Sequence, residues 1–179
     1  MKLTIDSVIN EPGSVAITID GYVPVDIKIF DSKKLPPLYW RIGNGNKSLL
    51  ELAVLPENGL VSSITLVMIE PSSIHKTDCL PVHLSDSVNG LPIVNTGLWK
   101  YSGSDDFSQR FVDDFSLDIQ VKISLDSMLL VIGENKEATS WIRCSDNFYL
   151  GIDDGRNIVN LYLEKLTKSE IENFFEAVG

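Results

Sequence analysis

The chain reads as all-β or β-rich α+β, with antiparallel sheets arranged as a sandwich or half-barrel and one C-terminal helix. Three observations predict this. Apolar and polar residues alternate with a period of two through most of the 179 residues, with β-branched side chains throughout. Gly, Pro, Asn and Asp break that alternation at short intervals. The one convincing 3.6-residue period lies at the end of the chain.

The elements follow in order. KLTIDSVI (2–9) and SVAITIDG (14–21) alternate, with EPG between them, and predict a hairpin. VPVDIKIF (23–30) adds a third strand whose Pro24 suits an edge or a bulge. KKLPPL is a turn, and YWRIG leads through NGN into LLELAVLPENGLVSSITLVMI (49–69). That stretch predicts a hairpin turning at PENG, where Pro56 fixes φ and Gly59 supplies a positive φ. Both arms are apolar at nearly every residue, which places the hairpin centrally in a sheet or buried on both faces.

Residues 70–92 are the least regular, with Pro71, Pro81, Gly90 and Pro92. IVNTGLWKY (93–101) predicts a strand. FSLDIQVKISLD (115–126) predicts another, with Phe115, Leu117, Ile119, Val121, Ile123 and Leu125 on one face. SMLLVIGE, then NKEA, then TSWIRCSD lead to a second hairpin, FYLGIDDGRNIVNLYLEKL (148–166), turning at DDG. In LTKSEIENFFEAVG, Thr167 as N-cap and Glu170 at N3 make a capping box, and Leu166 with Ile171 make a hydrophobic staple. Ile171, Phe174, Phe175 and Val178 share a face, so the helix packs on something apolar. The sum is about eleven or twelve strands and one helix.

The two long hairpins align. Leu50, Leu52 and Val54 match Phe148, Leu150 and Ile152, and Ile64 and Leu66 match Leu161 and Leu163. Trp40 and Trp141 lie a few residues upstream of each. Duplication and the common look of any apolar hairpin both account for this. The length suits one β-rich domain over 1–179, or two β subdomains at 1–92 and 93–179.

A hydrophobic content of 44% sets the chain apart from disordered tails. A net charge of −10 argues against binding to nucleic acid or anionic membrane surfaces, which need lysines and arginines. A basic protein partner is compatible with it. The N-terminus has no unbroken apolar secretory region, and no apolar run is long enough to span a bilayer. Cys79 and Cys144 do not make a disulfide framework, so a cytoplasmic protein with reduced thiols is expected.

No constellation of residues suits catalysis. HKTDCLPVH holds His75, Asp78, Cys79 and His83, but the spacing matches no strong zinc pattern and Pro81 interrupts a helix that would stack them. There is no G-x-S-x-G elbow and no P-loop spacing after Gly43 to Asn46. The pairs Asp105/Asp106, Asp113/Asp114 and Asp153/Asp154 are adjacent, and neighbours on a strand point to opposite faces. A non-enzymatic protein without metal or cofactor is expected.

The acidic stretch 102–118 stands out. Asp105, Asp106, Asp113 and Asp114 surround Phe107 and Phe111, and the spacing of Phe107, Phe111 and Phe115 gives one stripe if the segment is helical. Aromatic anchors ringed by acid suit an interface with a basic protein, and a solvated loop with its phenylalanines turned inward is the alternative. Trp40, Trp99 and Trp141 raise a second reading, a small-ligand- or carbohydrate-binding sandwich, unless they are core. A structural subunit bound through a sheet edge is a third.

The pattern LLELAVLPENGLVSSITLVMI, and the terminal FYLGIDDGRNIVNLYLEKLTKSEIENFF, resemble the repeated hairpin and capped helix of small bacterial β-proteins. Several of these are immunity proteins of toxin–immunity systems, including contact-dependent inhibition. The resemblance implies a cytoplasmic, non-enzymatic protein that neutralises a cognate toxin by binding it. It carries over no functional residue.

Overall fold

The computed structural model describes residues 3–10, 14–29, 35–133 and 137–179. Fifteen strands are described: β1 Ile5–Ile9, β2 Ala16–Thr18, β3 Val25–Lys28, β4 Leu38–Gly43, β5 Ser48–Val54, β6 Val61–Ile69, β7 Ile74–Lys76, β8 Val88–Asn89, β9 Leu91–Val94, β10 Phe111–Asp114, β11 Ile119–Ile123, β12 Met128–Ile132, β13 Ser140–Arg143, β14 Phe148–Ile152 and β15 Ile158–Leu163. Helix α1, Lys168–Val178, follows. Sheet 1 has the order β10-β4-β5-β6-β3-β2, sheet 2 the order β7-β11-β12-β15-β14-β13-β8, and β1 pairs with β9. The expected β-rich class with one C-terminal helix is what forms. Neighbouring strands are antiparallel except at three flanks, where β10 joins β4, β7 joins β11 and β8 joins β13 in parallel.

The inner faces of both sheets form one continuous apolar cluster, in which Trp40, Leu50, Leu52, Trp99, Phe148, Leu150 and Phe174 are fully or almost fully buried. Strand alternation produces this directly, because every second residue of β4, β5, β14 and β15 enters the same core. Both predicted long hairpins form, as β5–β6 and β14–β15. Their likeness goes further than the sequence alignment. Leu50 faces Leu66 and Leu52 faces Ile64 across the first, and Phe148 faces Leu163 and Leu150 faces Leu161 across the second. Each carries a bulge at the same place before its turn, after Ala53 and after Gly151. The match extends to five strands, since β2-β3-β6-β5-β4 and β11-β12-β15-β14-β13 have the same order and the same chain direction of travel. The two upstream tryptophans are not equivalent. Trp40 faces Leu52 and points into the core, whereas Ile142 takes that place opposite Leu150 and Trp141 faces Gly151 on the outer side.

Several expectations need correction. The predicted hairpin of 2–9 with 14–21 does not form, because β2 pairs with β3 and β1 pairs with β9. Alternation selects a strand but not its partner. The β1–β9 pair instead bridges the two hairpin tips. Val94 donates to the Gly59 carbonyl at 2.8 Å, while Ile5 donates to the Arg156 carbonyl at 2.8 Å and Arg156 Nε donates back to the Ile5 carbonyl at 2.7 Å. Gly59 has φ 75°, and a Cβ there would lie 2.6 Å from the Val94 carbonyl oxygen, so the tip needs glycine for two reasons. Strand β3 is internal, between β2 and β6, and Pro24 precedes it. The predicted strand over 93–101 ends at Val94, where the Asn95 side chain accepts from Gly97 N and starts a 3₁₀ turn over Thr96–Trp99. The strand predicted over 115–126 shortens to Ile119–Ile123, and Leu125 is exposed. The EPG turn at 11–13, Phe30, the two lysines of KKLPPL and residues 135–136 of NKEA lie outside the described residues.

The capping box is present, with Thr167 Oγ1 accepting from Glu170 N at 3.2 Å and Glu170 Oε2 accepting from Thr167 N at 2.7 Å. Phe174 is fully buried, and Asn173 donates to the Ile19 carbonyl at 2.9 Å, which ties the helix to the end of β2. Among the described residues no helix is long and apolar enough to cross a membrane.

Candidate functional site

Strand β10 enters sheet 1 as a parallel flank of β4, with Phe111 opposite Tyr39 and Asp113 opposite Arg41. The acidic segment is therefore extended here, and the helical stripe of Phe107, Phe111 and Phe115 does not form. Alternation separates its members instead. Val112 and Asp114 face inward, while Phe111 and Asp113 lie on the outer face. Asp114 is buried and accepts from the Ser116 hydroxyl at 2.9 Å.

The outer pair is held by β4. The Phe111 ring stacks on Tyr39 with centroids 5.3 Å apart and planes inclined by 12°. The Arg41 guanidinium lies 4.6 Å from the Phe111 centroid. Arg41 also donates to Asp113 through two bonds, Nε to Oδ1 at 2.6 Å and Nη2 to Oδ2 at 2.8 Å. That hydrogen bonding to Asp113, reinforced by the charge of Asp113 and of Glu51, raises the Arg41 pKa above its ordinary value. Phe111 nevertheless stays 47% exposed.

The other members lie on the connection before β10. Phe107 packs against the core and forms a bridge with Lys100, whose Nζ is 5.9 Å from its centroid. Asp105 is fully solvated and meets Lys100 Nζ at 3.1 Å. Asp106 accepts from the Ser104 hydroxyl, and its backbone N–H donates to Ser104 Oγ at 3.0 Å. Tyr101 and Phe115 are exposed on either side. The chain thus brings Phe111 and Asp113 together, leaves Asp105 and Asp106 on a neighbouring solvated turn, and takes Phe107 and Asp114 into the interior. Tyr39, Arg41 and Glu51 were missed by sequence reasoning. Alternation in YWRIG puts Tyr39 and Arg41 on the outer face, but nothing local says that β10 lies beside them.

The remaining candidates resolve simply. Trp40 and Trp99 are fully buried core residues, and Trp141, on the outer side of sheet 2, is 7% exposed. His75 lies on β7 and His83 in the connection after it, and among the described residues no three His, Cys, Asp or Glu side chains gather as metal ligands. Cys79 is exposed, and Cys144 is buried, which pushes its thiol up to about 12. Asp153 is occupied in its turn, accepting from Asn157 N at 2.9 Å and Nδ2 at 2.8 Å.

A concavity lies on the outer face of sheet 2. Its volume is about 540 Å³, and its lining includes Trp141, Asn160, Val131, Gln120, His83 and Asp86.

No protein-family model matches the chain. Among curated proteins it is 76% identical, over 86 residues, to "Immunity protein CdiI-1" of Escherichia coli O157:H7 (strain EC869). The aligned stretch is 48% of this chain and the whole of that protein. With the relative covered end to end at that identity, the chain belongs to the family of the contact-dependent inhibition immunity protein CdiI-1.

Proposed function

We propose that this chain is the immunity member of a toxin–immunity pair, and that it neutralises a cognate toxin by binding it rather than by chemistry of its own. The observation that carries this is the 76% identity to an immunity protein along that protein's full length. We further propose that the partner is a basic toxin domain, met in the cytoplasm, and that it docks on the outer flank of β10. Two features support that surface. The net charge of −10 attracts a cationic partner over distance. A half-exposed phenylalanine beside solvated carboxylates has the composition of an interface anchor with a polar rim.

Charge and anchor act on different rates. Asp105 and Asp106 steer encounter, and Phe111 slows escape. The test pairs binding kinetics against a candidate cognate toxin domain with a melting curve for each variant. Reversing Asp105 and Asp106 to Lys lowers the association rate and flattens its dependence on salt. Phe111→Ala raises the dissociation rate by about tenfold or more, corresponding to over about 1.4 kcal/mol. An association rate at low salt that ignores both reversals would remove this flank from the interface.

A further inference from the structure

Building on the binding role proposed above, we infer that Arg41 is a positioning residue that holds Phe111 ready for the toxin, so that Tyr39, Arg41 and Asp113 form the frame of the interface and Phe111 its anchor. An exposed phenylalanine on a flanking strand ordinarily samples several rotamers, and docking must then order it. Here the ring is already fixed. It stacks on Tyr39 at 5.3 Å, and the guanidinium sits 4.6 Å from its centroid. The guanidinium is itself fixed by two bonds to Asp113, at 2.6 and 2.8 Å, on the same strand as Phe111. A planar fork makes those two bonds and lies against a ring at the same time, whereas an ammonium cannot. Arg41 thereby consumes the charge of Asp113, which acts within the frame rather than on the partner.

The second half of the chain supplies a control. Arg143 occupies the same place, since it faces Tyr149 as Arg41 faces Glu51. Its parallel neighbour is Asn89 rather than an aspartate. Arg143 instead meets Asp146 in its own turn at 2.7 Å. The frame around an exposed aromatic belongs to sheet 1.

The experiment uses the full chain carrying 4-fluorophenylalanine at position 111 and the cognate toxin domain identified by the binding test above. In the free wild-type chain the fluorine resonance lies away from the solvent-exposed value. Arg41→Ala and Arg41→Lys both move it toward that value. Both also raise the dissociation rate of the toxin complex by about tenfold with the association rate little changed. Asp113→Asn breaks the same frame from the other side and has the same effect, and Arg143→Ala has none. An unmoved resonance and an unmoved dissociation rate in both Arg41→Ala and Asp113→Asn overturn the inference while the binding reading stands. A lysine variant that behaves as wild type also overturns it. A wild-type chain that does not bind the toxin domain overturns the binding reading, and the anchor with it.

Discussion

Sheets 1 and 2 carry the same cross-strand rows with different chemistry. On the outer face of sheet 1 one row reads Arg41, Glu51, Thr65, Asp26. The row in the same place on sheet 2 reads Arg143, Tyr149, Tyr162, Leu129. The inner rows stay apolar in both, because both feed one core. The outer rows diverge in what lies over them: among the described residues, the second is covered by a connection of its own chain. Leu80, Val82 and Leu84, in the connection after β7, pack on Leu129, Tyr149 and Tyr162. In sheet 1 Thr65 Oγ1 donates to Asp26 at 2.9 Å, and the row is polar and half-buried. Inner packing sets the register, and the outer face is then free to be a surface or a second core. On the binding reading proposed above, the partner docks where the outer face is open and still carries a large aromatic, beside β10.

The comparison can be broken most sharply at the inner face. Leu52 and Leu150 occupy equivalent, fully buried positions. Replacing either with Ala is expected to cost about 2–5 kcal/mol, from lost burial and the cavity left behind. Urea midpoints that fall for one variant and not the other would show that the halves do not share one core. The outer faces give the next largest contrast. Tyr162→Thr, which installs the residue found in sheet 1, removes a ring packed 6.2 Å from Trp141 and 5.9 Å from Tyr149, and should cost about 2 kcal/mol. The reverse exchange, Thr65→Tyr, removes one part-buried hydrogen bond to Asp26 but no packed ring, and should cost about 1 kcal/mol or less. Equal effects would mean that the strap over sheet 2 contributes little.

A further contrast is alkaline. Burial raises Cys144 to about 12 from 9.0, and burial is likewise the largest cause of the raised values of Tyr149 and Tyr162. Each folded-state group holds its proton to higher pH than the unfolded one. Their contribution is therefore complete below about pH 9 and is lost as pH rises toward the folded values. Cys144→Ala should flatten the fall in stability between about pH 9 and pH 10.5 relative to wild type. A fall of unchanged slope would show that the thiol does not couple to folding.

Much of the fold was legible because it rests on local periodicities. Alternation marked the long hairpins, and Thr167 with Glu170 marked the start of α1. Partnership was less legible. Nothing between residues 2 and 21 says that β1 lies against β9, since that pairing is decided by two hairpin tips far along the chain. The candidate site shows the same limit. Phe107, Phe111 and Phe115, spaced by four, suggested a helical stripe, but β10 takes its conformation from the open flank of β4. Acidity singled out Asp105, Asp106, Asp113 and Asp114 alike. Only tertiary placement separates the buried Asp114, the Arg41-bound Asp113 and the solvated pair. Arg41 was invisible because its bonds depend on a strand 70 residues on, its partner Asp113 lying 72 residues away.

The central claim is that the toxin meets the outer flank of β10. Hydrogen–deuterium exchange of the chain, free and in complex with a cognate toxin domain, tests this most directly. The account predicts added protection over 101–115 and over β4, with the connection 78–87 and β13 unchanged. Protection confined to 78–87 and 137–141, around the concavity on sheet 2, would contradict it and place the partner on the other half of the molecule.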